Sequence, residues 1–253
     1  MILRRILLPA FVFVIIWSCK KDDGPSVEVV PPRLLSEVTL ENDASIKSYL
    51  ETHFYNYEEF DNPGADFDFR IKIDTIAGEN ADKTPLIEQM LQQVIKVSSA
   101  DLNLADADEK DVEHILYSLV TRQGVGNQAT VKDSVFLNYQ GRRLDGTVFD
   151  SRLGSPVWFD LPGTYNPNTQ VSVSPSITGF RQGIANFKAG GEIVENEDGT
   201  FQVMGSGIGL IVMPSGLAYF QGTQIGPAYS PILFEVNLLV AKTKENEEDN
   251  IIK

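Results

Sequence analysis

Apolar and polar positions alternate along much of the chain, and the period of that alternation predicts its elements. Apolar residues behind Asp43 recur at helical spacing and predict a helix with Asp43 as its N-cap: Ile46, Tyr49, Leu50 and Phe54. Over 67–73, Phe and Ile alternate strictly with charged residues, which is the period-two pattern of a half-buried strand. Residues 36–110 are therefore expected to form an N-terminal α/β extension.

The pattern of residues 86–97 fits two kinds of element. Its first part suits a helix, while 94–97 could close as a strand, and the sequence leaves both open. The next run is acidic, with Asp101, Asp106, Asp108, Glu109 and Asp111. A calcium loop would need a mid-loop glycine, which is absent here, so a solvated acidic loop is favoured.

From residue 115 onward the pattern is that of short strands separated by turns. Strands are predicted at 115–119, 131–139, 147–149, 208–213 and 232–240. The only helical pattern among them covers 179–187. One short helix amid several strands predicts an α+β fold in which an antiparallel sheet wraps the helix.

Residues 1–18 resemble an export signal, because Arg4 and Arg5 precede an apolar run that is too short to span a bilayer and contains Pro9. Cys19, the only cysteine, follows this run as in a bacterial lipoprotein cleavage site. An ordinary signal peptide with an incidental cysteine is the alternative. Acylation of Cys19 would anchor the protein to a membrane.

Composition narrows the chemistry further. Residues 19–35 contain Pro25, Pro31 and Pro32 and are expected to be an extended tether. A formal charge of −14 repels phosphate backbones, so nucleic acid is not expected as a partner. The two histidines, His53 and His114, have no metal-ligand spacing, which argues against a zinc site or a histidine-based triad.

Several motifs of the second half occur in a characteristic order, at 139–141, 144–151, 177–180, 187–190, 217–219 and 233–239, including Asp-Gly-Thr-Val-Phe-Asp-Ser at 145–151. Together they resemble the FKBP-type peptidyl-prolyl cis–trans isomerases over 112–242. The resemblance implies an FKBP-like bent antiparallel sheet wrapped around a short helix, with the extension before it and an acidic tail at 243–253. It also implies an isomerase that needs no cofactor and no metal.

The resemblance assigns residues to a proline pocket. The catalytic group would be Tyr139, Phe149, Asp150, Phe180 and Tyr219, and the substrate-binding group Val157, Phe159, Ile177, Ile225 and Phe234. Phe180 would form the floor, the Tyr219 hydroxyl and the Ile177 N–H would hold substrate carbonyls, and Asp150 would lie at the rim. The pattern departs from the family at Phe180, where Trp is usual, at Val157, where an aromatic residue is common, and at Phe220, where Gly is typical.

The chemistry implied by the resemblance is rotation about an X-Pro bond, in which no bond is made or broken. The barrier comes from amide resonance, so an apolar pocket that prefers the twisted amide can lower it. The expected partners are proline-containing polypeptides of the bacterial cell envelope. The protein itself is expected to be anchored at the outer membrane. A non-catalytic chaperone or peptide-binding module is the alternative function.

Overall fold

The computed structural model describes residues 33–104, 108–166, 169–197, 199 and 201–243, and these belong to one compact unit that begins at Pro32. The helices are α1 (Leu35–Thr52), α2 (Tyr57–Asp61), α3 (Leu86–Gln89) and α4 (Thr178–Ile184). The first strands are β1 (His53–Tyr55), β2 (Ile73–Thr75), β3 (Leu91–Val97), β4 (Val112–Arg122), β5 (Asp133–Arg143), β6 (Val148–Ser151) and β7 (Val157–Asp160). The remaining strands are β8 (Thr164–Asn166), β9 (Val171–Val173), β10 (Ile193–Glu195), β11 (Phe201–Val203), β12 (Gly207–Met213) and β13 (Ile232–Thr243).

A seven-stranded antiparallel sheet organises the unit, with strand order β3-β4-β12-β13-β5-β6 and β7 paired to β5. Alternate residues of each strand point to opposite faces, which places Ile211 of β12 in one apolar cluster and Leu210 in another. We call the face that packs on α4 the helix face, and the opposite one the extension face. The α+β fold predicted from the sequence is confirmed.

Helix α4 lies close against β12 because two of its residues have no side chain. A Cβ at Gly183 would come within 2.5 Å of Ile211 Cγ2, and one at Gly179 within 2.5 Å of Met213 Sδ. Both distances are below any normal carbon contact, so larger residues would push the helix off the sheet. This approach brings the first turn of α4, with Phe180, into the core.

Helix α1 begins earlier than predicted. The buried face runs through Leu35, Val38, Asn42, Ile46 and Leu50, so the polar Asn42 hides the continuity of the apolar stripe in the sequence. Asp43 is therefore not an N-cap. It lies within the helix, where it pairs with Lys47 at 2.8 Å and accepts a hydrogen bond from the Tyr117 hydroxyl at 3.1 Å.

The predicted strand over 67–73 is wrong, since only Ile73–Thr75 is extended and paired. Phe69 has a φ of 56°, a left-handed conformation that cannot continue a strand. The side chains of Phe60, Phe67 and Phe69 pack on one another, with ring centroids 4.8–6.1 Å apart. The phenylalanine side chains of the alternating pattern therefore pack against one another and not within a sheet.

The ambiguous stretch 86–97 contains both elements, α3 and then β3. Strand β3 pairs with β4 from Leu91 opposite Ser118 to Val97 opposite Val112, so the extension supplies an edge strand of the main sheet. Residues 1–18, Cys19, most of the tether and 244–253 lie outside the described residues. Among the helices of the described part, none combines the length and the apolar character that crossing a membrane would require.

Candidate functional site

A pocket of about 250 Å³ opens on the helix face, between the first turn of α4 and the strands β5, β6, β7 and β13. Seven of the residues that the sequence assigned to a proline site line it: Tyr139, Asp150, Phe159, Ile177, Phe180, Tyr219 and Phe234. Ser174, Pro175 and Ser176 complete the wall and were not selected from the sequence, although they directly precede Ile177.

The floor of the pocket is Phe180, which is buried. Its ring centroid lies 5.4 Å from that of Phe159 and 5.1 Å from that of Phe234, in tilted and edge-on arrangements. Tyr139 adds a fourth ring, 6.4 Å from Phe180. Such contacts fix aromatic side chains in place, so the pocket is rigid and apolar at its base.

The rim carries one carboxylate, which is held by its neighbours. The Tyr139 hydroxyl donates to Asp150 Oδ2 at 2.5 Å, and the Ser151 N–H donates to Asp150 Oδ1 at 2.8 Å. Burial, followed by the hydrogen bond and charge of Asp150, raises the pKa of Tyr139 well above its usual range. Tyr139 is therefore a protonated donor that orients Asp150.

Two hydrogen-bond donors face the pocket without an acceptor of their own. Within the described residues, no partner accepts from the Tyr219 hydroxyl, and none accepts from the Ile177 N–H at the start of α4. Burial, and then the charge of Asp150, raises the pKa of Tyr219, so its hydroxyl stays protonated at neutral pH. Both donors are available to carbonyl groups of a ligand.

Three of the predicted site residues lie outside the pocket wall. Phe149 packs edge-on against Tyr219 and Phe234 from behind, with ring centroids 6.5 and 5.7 Å away. Val157 is half-buried on β7, and Ile225 is 8% exposed within the apolar cluster of the helix face.

Phe220 and Arg152 lie close to pocket residues in the sequence but not in the pocket wall. Phe220 is buried and turns away from the mouth, where its ring packs edge-on against Tyr229 at 5.0 Å. Its φ of 42° is a left-handed conformation that glycine adopts more readily than residues with a side chain. The ion pairs found among the described residues include none between Asp150 and Arg152.

A larger pocket of about 960 Å³ lies on the extension face, and we call it the groove. Its walls are the segment 65–69, strands β5, β7 and β13, and the β10–β11 hairpin. Trp158, 50% exposed, stacks on Phe136 at 5.2 Å, and Phe201 is 68% exposed. The charged residues that line the groove are Asp68, Arg122 and Lys242.

Neither site has the side chains of a metal centre. No group of three or more His, Cys, Asp or Glu residues that could hold a metal ion occurs in the described ranges. His114 is buried, with Nδ1 2.9 Å from the Val112 carbonyl and Nε2 2.9 Å from Thr39 Oγ1. Its role is structural.

Residues 126–194 match the sequence model of a family described as FKBP-type peptidyl-prolyl cis-trans isomerase. A probable FKBP-type isomerase, FkpA of Neisseria meningitidis, is 36% identical over 132 residues, covering 50% of this chain and 38% of that protein. FkpA of Escherichia coli is 26% identical over 228 residues, covering 79% of this chain and 73% of that protein.

One further relative and one solved structure are similar over part of this chain. The isomerase Mip of Coxiella burnetii is 32% identical over 130 residues, and this chain spans 44% of its length. The crystal structure of Escherichia coli FkpA superposes with a TM-score of 0.41 at 23% identity, covering 82% of this chain and 62% of that one. This chain thus spans less than half of two of the three relatives named here.

Proposed function

We propose that this chain catalyses the cis–trans isomerisation of X-Pro bonds in polypeptides, because residues 126–194 match the model of a family described as FKBP-type peptidyl-prolyl cis-trans isomerase. One observation carries the proposal. Tyr219, Ile177 and Phe180 line the same pocket of about 250 Å³, and among the described residues nothing accepts a hydrogen bond from the Tyr219 hydroxyl or the Ile177 N–H. That pocket combines an apolar base with a few polar groups, as small-molecule and peptide sites do.

The pocket suits a reaction without bond cleavage. Amide resonance sets a rotation barrier of roughly 18–20 kcal/mol, and the twisted amide has lost that resonance. Phe159, Phe180 and Phe234 exclude water from a bound proline ring, which removes the solvation that favours the planar amide. The Tyr219 hydroxyl and the Ile177 N–H then hold substrate carbonyls while the bond rotates.

Asp150 acts at the rim without transferring a proton. Its two oxygens accept from Tyr139 and from the Ser151 N–H, so its position is fixed. A carboxylate held beside the rotating amide interacts differently with the planar and twisted forms, and this difference can contribute to the rate.

A protease-coupled assay on a tetrapeptide with a cis X-Pro bond tests the proposal. Without a catalyst, isomerisation of an X-Pro bond takes roughly tens to hundreds of seconds. The folded protein is expected to shorten this time. Trp158→Ala, which changes only the opposite face, should keep this activity. A folded protein that gives no acceleration would overturn the proposal.

The groove favours a second function, the binding of extended polypeptide independently of turnover. Exposed aromatic side chains of this extent mark interaction surfaces in soluble proteins. The ammonium of Lys242 lies 5.3 Å from the Trp158 ring, and the guanidinium of Arg122 lies 4.1 Å from the Phe69 ring. With two cations and one carboxylate in a chain of charge −14, the groove suits an apolar segment that carries acidic residues.

Fluorescence anisotropy with two labelled, proline-free peptides separates this function from catalysis. One peptide alternates Leu with Glu, and its control alternates Leu with Lys. The acidic peptide should bind more tightly than the basic control. Its binding should weaken in high salt and in the Trp158→Ala variant. The Tyr219→Phe variant should bind it as tightly as the unmodified protein does. Equal binding of both peptides, or full binding by Trp158→Ala, would exclude the groove as the site.

We propose further that residues 1–18 direct export and that acylated Cys19 anchors the protein in the bacterial cell envelope, at the outer membrane. The support is the sequence pattern around Cys19, which is followed by the proline-containing tether. The substrates would then be exported polypeptides that contain proline. Mass spectrometry of the mature N-terminal peptide should find acyl chains on Cys19, and an unmodified Cys19 would contradict the anchor.

A further inference from the structure

Asn42 is the polar residue on the buried face of α1, and it is only 5% exposed. Its neighbours along that face are Val38 and Ile46, both buried. Because a buried amide without partners is costly, a side chain of this kind is tolerated where its donor and its acceptor are both used.

Both ends of the Asn42 amide bind the backbone of one loop. Oδ1 accepts from the Ser215 N–H at 2.7 Å, and Nδ2 donates to the Tyr229 carbonyl at 2.9 Å. Ser215 and Tyr229 lie near the two ends of the connection between β12 and β13, and the stretch between them, the loop 215–229, carries Tyr219 to the pocket. A single side chain of the extension thus closes the loop that supplies the hydroxyl donor.

The loop depends on such support because its backbone is strained. Phe220 and Tyr229 have φ values of 42° and 63°, a left-handed conformation that residues with side chains rarely adopt. The two residues face each other, with the Tyr229 N–H donating to the Phe220 carbonyl at 2.6 Å. Strained residues persist when surrounding contacts fix them, and Asn42 bonds directly to the carbonyl of Tyr229.

The start of the extension adds a second contact to the same residue. The Arg33 N–H donates to the Tyr229 hydroxyl at 3.2 Å, and the Arg33 guanidinium lies 5.7 Å from the Tyr229 ring. The loop therefore meets α1 at Asn42 and also meets Arg33, two residues before the helix, although the extension itself does not line the pocket.

We propose that Asn42 is a positioning residue for the isomerase reaction: it holds the loop 215–229 so that the Tyr219 hydroxyl stays aimed into the pocket. This inference rests on the proposed function. It makes the extension part of the catalytic apparatus, acting through Tyr219 and without contact to substrate.

A double-mutant cycle of Asn42→Ala and Tyr219→Phe tests the inference on the tetrapeptide assay. Asn42→Ala should lower kcat/KM several-fold in the unmodified protein and hardly at all in Tyr219→Phe, because the hydroxyl that it positions is already missing. A purely structural role would lower activity by the same factor in both backgrounds. Ile46→Val, a conservative change one turn along the same helix, is the matched control and should leave kcat/KM unchanged.

The outcomes separate this inference from the proposed function. If the unmodified protein shows no turnover, the proposed function fails. If it is active but Tyr219→Phe has no effect, or the cycle is additive, only the positioning role of Asn42 fails. Should Asn42→Ala not fold, Asn42→Ser takes its place, since its short hydroxyl cannot reach from Ser215 to Tyr229.

Discussion

The two faces of the main sheet use the same kinds of side chain for different purposes. On the helix face, the aromatic rings around Phe180 pack on one another and enclose a pocket of about 250 Å³. On the extension face, Trp158 and Phe201 remain exposed around a groove of about 960 Å³. One face encloses a small aromatic pocket, and the other offers an extended surface.

Strand β7 shows how this difference arises within two consecutive residues. Phe159 lines the pocket, and its neighbour Trp158 lines the groove, because successive side chains of a strand point to opposite faces. Helix α4 covers the pocket side, whereas the extension covers only part of the other. Whether an aromatic residue of this strand is enclosed or exposed therefore depends on which elements cover its face of the sheet.

Truncation of Phe180 should have the largest effect and should damage only the helix face. Phe180→Ala removes a buried ring from the pocket floor, so we expect a loss of about 3–5 kcal/mol in the free energy of unfolding and loss of turnover. Urea denaturation and the tetrapeptide assay measure the two effects. Trp158→Ala is the control on the other face; it removes a half-exposed ring that stacks on Phe136, so it should cost only about 0.5–1.5 kcal/mol. Similar losses in both variants would refute the contrast.

The extension face should respond next most strongly, at the contact between the extension and β13. Glu235, 4% exposed, accepts from Arg70 Nε at 2.8 Å, from Arg142 Nη2 at 3.3 Å and from the Ile71 N–H at 3.3 Å. Glu235→Gln leaves these cations without their carboxylate, and we expect the free energy of unfolding to fall by about 3 kcal/mol. This is at the low end for a broken buried ion pair, because Arg70 is partly exposed.

The same variant should spare the chemistry of the helix face. Turnover per folded molecule of Glu235→Gln is expected to equal that of the unmodified protein at low temperature. Lys72→Gln, which breaks the exposed pair with Glu59, is the control and should cost less than about 1 kcal/mol. Loss of turnover in folded Glu235→Gln would show that the two faces are coupled through β13.

The helix face was largely predictable from the sequence, because its residues lie in short motifs whose order resembles that of the FKBP-type isomerases. Tyr139 and Asp150 lie on either side of the turn at 144–146, Phe180 follows the start of α4, and the structure brings all three to one pocket. Phe149 and Ile225 show the limit of that reasoning. Motif position alone does not tell whether a side chain lines a cavity or packs one layer behind it.

The extension face could not be predicted in this way. The groove brings together Phe67, Phe136, Trp158 and Phe201, which are far apart in the chain and share no motif. The left-handed backbone at Phe69 also breaks the alternation that predicted a strand there. Packing between segments that are distant in the chain determines this face. The local spacing of apolar residues contains no information on such packing.

Removal of one hydroxyl should produce a smaller effect that is confined to catalysis. Tyr219→Phe deletes the proposed donor to a substrate carbonyl, worth about 0.5–1.5 kcal/mol, so kcat/KM should fall by roughly 2- to 12-fold with little change in stability. Tyr57→Phe is the matched control, since its hydroxyl accepts only a long hydrogen bond, 3.4 Å from the Thr84 N–H on the extension. An unchanged kcat/KM for Tyr219→Phe would remove this hydroxyl from the mechanism.

The smallest predicted effect concerns His114, which lies on β4 beneath α1. It tests whether water reaches the contact between this strand and the helix. Burial lowers the pKa of His114 below its usual value of 6.5, so the folded protein keeps the ring neutral where the unfolded chain takes up a proton. The stability that depends on a neutral His114 is complete above about pH 6.5 and decreases as the pH falls below it. Between pH 7 and pH 6 the loss should stay under about 1 kcal/mol. Thermal unfolding across this range should show a shallower pH dependence in His114→Gln than in the unmodified protein, and equal slopes would mean that water reaches the ring.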